Sequence, residues 1–142
     1  LRLAWAEKRQ GYHSAEIVHY DAILATDAAH ITALAGKAVA LARLNRLDES
    51  ARATEDLETA APDAVETALA HAKIAGLQGD DDRSLESLER AYANRDQLTR
   101  EMQLELRRDF ALDPCFASLR TDPRLRTLVN RHLGAAGPRQ AR

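Results

Sequence analysis

Apolar positions recur along this chain at spacings of three and four, interrupted at short polar intervals. From Ala40 to Ala51, Leu41 and Leu44 share one helical face. Asn45-Arg46 then breaks the pattern and Asp48-Glu49-Ser50-Ala51 opens a second run. This spacing predicts two helices joined by a tight turn, not one long helix. Read in the same way, the chain predicts helices over residues 1–10, 14–26, 32–44, 48–60, 63–78, 82–93 and 97–109, the first six taken as successive pairs. Further on, "LDPCFASLRTDPRLRTLV" contains two Asp-Pro pairs. Each is expected to start a short helix, with Asp capping and Pro at the first helical position.

The turn recurs. Positions 34 residues either side of Asn45 hold Gly11 and Gly79, and Gly and Asn tolerate the left-handed conformation that ends a helix. The same step aligns Ala4, Ala38 and Ala72, then Ile17, Ala51 and Leu85, and then Tyr20, Thr54 and Leu88. Pro62, aligned with Ala28 and Asp96, reads as a good first residue for a new helix. This organisation resembles the tetratricopeptide repeat family, whose unit is about 34 residues of paired antiparallel helices.

The resemblance implies an all-α fold: a right-handed α-solenoid of antiparallel helix pairs, about three repeat units plus C-terminal capping helices. The array covers residues 1–98, with a first repeat truncated at its N-terminus, a second over 31–64 and a third over 65–98. Residues 99–133 form a degenerate repeat and cap, and 134–142 a flexible tail. Leu34 and Ala68 stand where the family usually carries a bulky aromatic, and His71 where an aliphatic residue is usual. The Asp-Pro segment is similar to the endings of bacterial arrays of this kind.

Composition agrees with close-packed helices. Apolar residues make up 45% and aromatics only 4%, which suits helix packing better than a sheet. The 20 basic and 22 acidic side chains leave a net charge of −2, too weak a field to imply direct nucleic-acid or anionic-membrane binding. No apolar run approaches the roughly 18–20 residues that span a bilayer, and no signal peptide is visible. The chain opens on Leu1 inside a helical pattern, which reads as a fragment or processed product. The lone Cys115 permits no internal disulfide. This leans towards the cytoplasm and leaves a periplasmic setting open.

Chemistry is sparse. The five histidines lack the i, i+4 spacing of a helical zinc site, and no second cysteine exists, so no metal or cofactor is expected. The acidic run "GDDDRS" is expected to end one helix at Gly79 and cap the next with Asp81 or Asp82. Cys115 has no nearby base and reads as a buried filler. His71 reads as a partly buried packing residue. No phosphate loop or nucleophile elbow appears, and the expectation is a non-enzyme.

What the resemblance implies instead is a groove lined by the first helix of each pair. Its inward columns are Trp5, Val39 and Lys73; Arg9, Arg43 and Leu77; and Arg2, Gly36 and Ala70. Lys8, Ala42 and Gly76 lie at the edge. Such a lining is basic, with apolar anchors and small residues that leave room for a guest. It is therefore expected to bind a peptide or protein segment carrying acidic residues. A chaperone-tail co-receptor is disfavoured, because the corresponding slots hold Leu1, Trp5, Gly36, Glu66 and Ala70. The functional expectation is a non-catalytic interaction module within a larger bacterial protein or assembly. The alternatives are a regulatory appendage of a kinase, cyclase or winged-helix regulator, a scaffold in an envelope or secretion assembly, and self-association.

Overall fold

The computed structural model describes the backbone of residues 2–94 and 96–134, with side chains described from residue 10 to residue 132 apart from residue 95. The described chain is all-helical: α1 Arg2–Thr26, α2 Ile31–Arg43, α3 Leu47–Ala60, α4 Val65–Leu77, α5 Asp81–Ala93, α6 Arg100–Leu112 and α7 Pro123–Val129. Two 3-10 turns, Pro114–Phe116 and Leu119–Thr121, separate α6 from α7, and one π-helical turn, Asn130–Gly134, follows. α2 packs on α3 and α4 on α5. α1 lies against α2, and α2 also meets α4. The turn Pro114–Phe116 lies on α4 and α7 lies on α5.

The α2–α3 and α4–α5 hairpins begin with the same closing device. Asn45 adopts φ 59 and Gly79 φ 77, the left-handed conformation of a helix C-terminus that reverses direction. The Arg46 N–H then donates to the Leu41 carbonyl at 2.9 Å, and the Asp80 N–H to the Ala75 carbonyl at 2.9 Å. Both bonds satisfy carbonyls that the helix end would leave orphaned. The crossing is tied in the same way in each hairpin. The Ser50 hydroxyl donates to the Ala38 carbonyl at 2.7 Å and the Ser84 hydroxyl to the Ala72 carbonyl at 2.8 Å, both buried. Every one of these pairs stands 34 residues apart.

Gly11 departs from this register. α1 runs through it without a break, so residues 1–10 do not fold back on 14–26. Nothing lies within 4 Å of where a side chain at Gly11 would project. With no returning helix to pack there, a left-handed residue gains nothing, and an interior glycine costs only about 1 kcal/mol relative to alanine. Two smaller corrections concern caps. α5 is capped by Asp80, whose carboxylate accepts from the Arg83 N–H at 3.2 Å, while Asp81 and Asp82 occupy its first turn and complement the dipole. Pro62 lies in the loop, since α4 starts at Val65 after Ala64. Both Asp-Pro pairs behave as expected: Asp113 and Asp122 accept from the N–H groups two residues on.

Burial is uneven. One large cluster joins α4, α5, α6 and the C-terminal turns, with Leu88, Phe116 and Leu119 fully enclosed. Each such side chain contributes about 1.5–3 kcal/mol by leaving water. Two small clusters serve the α1–α3 half, centred on Leu41 and on Leu57.

Candidate functional site

The first helices of the two hairpins, α2 and α4, share an open cleft of about 340 Å³ with α1 and α6. Val39 and Arg43 reach it from α2, and Lys73 and Ala70 from α4. Leu77, expected there, instead packs against the large core. The side chains of Arg2, Trp5, Lys8 and Arg9 fall outside the described residues.

The two described cations are already answered from within. Arg43 grips Asp113 with two parallel bonds of 3.0 and 2.8 Å, both side chains being about 15% exposed. Lys73 meets Asp109 at 3.4 Å. Burial pushes the Asp113 carboxyl up. The Arg43 guanidinium and the Cys115 N–H outweigh that and hold it well below the usual carboxylate range. A bidentate pair of this kind joins strength to fixed geometry, and it ties the end of α6 to α2.

The expected all-basic lining does not hold among the described residues. Glu16 of α1, Glu66 of α4, and Glu105 and Asp109 of α6 also line the cleft. Glu16 bonds His13 at 2.7 Å, whereas Glu66 and Glu105 form no ion pair with a described residue. The uncommitted charge of the cleft is therefore negative. Column arithmetic missed Glu105 and Asp109 because α6 lies beyond the regular period; only the place of Asp113 in the turn column hinted that this segment returns to the array.

The small residues are also spoken for. A β-carbon at Gly36 would collide with the tip of the Tyr20 ring, and one at Gly76 with the Cys115 carbonyl oxygen. Ala42 is buried. The space that the sequence suggested for a guest is taken at these points by the chain itself. What stays open is the floor between Val39, Ala70 and Leu69, under Met102.

Other chemistry is muted. Cys115 is buried, and burial together with Asp113 pushes its thiol up, away from the nucleophilic thiolate. His71 is partly buried and bonds Glu58 across α3 and α4 at 2.5 Å. Among the described residues no cluster of His, Cys, Asp and Glu could hold a metal ion, and no helix is long and apolar enough to cross a membrane.

No family model, curated protein or solved structure matches this chain. Its function therefore has to be argued from its own geometry.

Proposed function

We propose that the chain is a non-catalytic protein-interaction module of tetratricopeptide type, its hairpins stacked as a right-handed solenoid, with a partner segment held in the cleft of α1, α2, α4 and α6. One observation carries this reading: turn, helix start and buried serine bond repeat at 34 residues. Helix α2 starts at Ile31 and α4 at Val65, and both present their flanks to one open cleft. Repeats of this kind bury their faces only by stacking and leave an extended inner surface for recognition.

The occupant shifts from the acidic segment expected on sequence to a basic one. Arg43 and Lys73 are held by Asp113 and Asp109, whereas Glu66 and Glu105 face the cleft without partners among the described residues. A Lys or Arg side chain beside a small apolar residue fits that arrangement: the cation between the two glutamates, the apolar group on Val39 and Ala70.

Arg43→Glu is a poor test, because it breaks an internal tie. The better test is selection of random peptides on the protein, repeated with Glu66→Lys/Glu105→Lys and with Val39→Trp. Peptides pairing Lys or Arg with an apolar residue should be enriched, and both variants should bind them about tenfold or more weakly, the scale of one or two charge-assisted contacts. Equal binding by the glutamate variant rejects the cleft as the site.

A further inference from the structure

The near-neutral net charge conceals a segregation. Residues 107–142 contain eight arginines, no lysine and three aspartates, a charge of +5. The chain's net −2 therefore leaves −7 on the first 106 residues. Each aspartate in the basic segment is answered internally: Asp109 by Lys73, Asp113 by Arg43 and Asp122 by Arg124. The residues after 134 add two arginines and no acid.

Part of that charge converges on a second cleft, of about 300 Å³, between α6 and α7 and away from the first. Its floor is apolar: Phe110 and Ala111 from α6, Leu125 and Val129 from α7. Its rim carries Arg107, Arg120 and Arg126, and no carboxylate lines it. Arg120 is held in place, its Nε donating to the Phe110 carbonyl at 2.8 Å and its Nη2 to the Asp113 carbonyl at 2.7 Å. Carbonyls fix a guanidinium without neutralising it. Arg107 and Arg126 form no ion pair with a described residue. On the face of α6 that leads to Arg107 and Ala111, Leu104 is 57% exposed.

We propose that this second cleft docks an acidic segment of a partner protein. One bulky apolar side chain of that segment sits on Phe110, Leu125 and Val129, and carboxylates on either side are held by Arg107, Arg120 and Arg126. Guanidinium forks match carboxylates bidentately and lose less hydration than ammonium groups would. Arg120 is already immobilised and has little rotamer freedom left to lose on binding. The apolar floor distinguishes the site from one for a nucleic-acid backbone, whose phosphates need cations and no anchor. A long polyanion would also meet the −7 of the rest of the chain. The inference stands apart from the first cleft, which differs in lining and in charge.

The test uses a short fluorescent peptide with one Phe between pairs of Glu, titrated by anisotropy into the wild type, Arg107→Glu/Arg126→Glu, and the control Arg52→Glu on α3. Circular dichroism melts establish that all three are folded. The expected result is salt-dependent binding by the wild type and the control, weakened roughly tenfold or more in the double variant and several-fold when Phe becomes Ser. Absence of wild-type binding overturns the proposal, as does equal binding by the folded double variant. It is also overturned if a single-stranded oligonucleotide binds as well as the peptide and the Phe makes no difference. Concentration-dependent dimerisation that the double variant abolishes would assign the cleft to a second copy of the chain and equally reject it.

Discussion

The α2–α3 and α4–α5 hairpins share a register and differ in what covers them. Turn, buried serine bond and helix bounds repeat, yet position by position their outer faces diverge. Where α3 carries Ala51, Thr54 and Glu58, α5 carries Leu85, Leu88 and Tyr92. The first set is exposed or half-buried and the second buried, under the C-terminal turns and α7. The glycines tell the same story. Gly36 makes room for Tyr20 of α1, while its counterpart Ala70 needs none. Gly76 makes room for the Cys115 carbonyl, while its counterpart Ala42 needs none. A repeated backbone is thus individualised by small residues placed where a neighbour approaches.

That contrast can be broken most forcefully at matched positions. Leu88→Ala should cost about 2–5 kcal/mol, the range for a fully buried leucine, whereas Thr54→Ala on the half-exposed face should cost about 1 kcal/mol or less. Urea unfolding of both variants measures the difference, and similar losses would mean that the hairpins are not differently covered. Gly76→Ala comes next. The obstacle there is backbone, so the cap must shift, at about 1–3 kcal/mol. Gly36→Ala should cost less, because the tip of Tyr20 can swing aside.

Asp113→Asn removes the tie between the cap and α2 and should cost about 1–3 kcal/mol at neutral pH. Its pH signature is sharper. The carboxyl is held below its unfolded value of about 3.9, so its stabilising contribution is present above that pH and disappears as pH falls through the folded value. Acid titration of the melting temperature should therefore show a shallower acid limb in the variant. A parallel limb would mean that Asp113 carries no such linkage.

Ser50→Ala and Ser84→Ala should each cost about 1 kcal/mol, and their near-equality is the point: clearly unequal losses would show that the repeated bond differs in strength between the hairpins. The smallest effect should come from Tyr92→Phe. The Tyr92 hydroxyl is buried with no hydrogen-bond partner among the described residues, and burial pushes it up to about 12. The ring stacks on His132 with centroids 5.1 Å apart. Removing the hydroxyl while keeping the ring should leave stability unchanged or raise it slightly. A loss above about 1 kcal/mol would reveal a partner.

Much of the helical layout was legible in the chain. The elbow at Asn45 and Gly79 was readable because a left-handed cap needs particular residues, and the Asp-Pro starts because capping chemistry is local. Gly11 was misread for the same reason: glycine permits a reversal but does not impose one, and α1 has no returning helix at that point. The cleft was legible only in part. Val39, Arg43 and Lys73 do line it, but Leu77 turns into the core, and the acids from α1 and α6 lay outside the column arithmetic.

The sequence by itself determined the helical periods, the two working turns and the capping residues, because each depends on contacts within about five residues. Only the tertiary structure decided that Arg43 is spent on Asp113, 70 residues away, that the cap fills the space beside Gly76, and that unneutralised arginines gather between α6 and α7. Those outcomes depend on which distant segment reaches a surface first, and helical spacing carries no record of that.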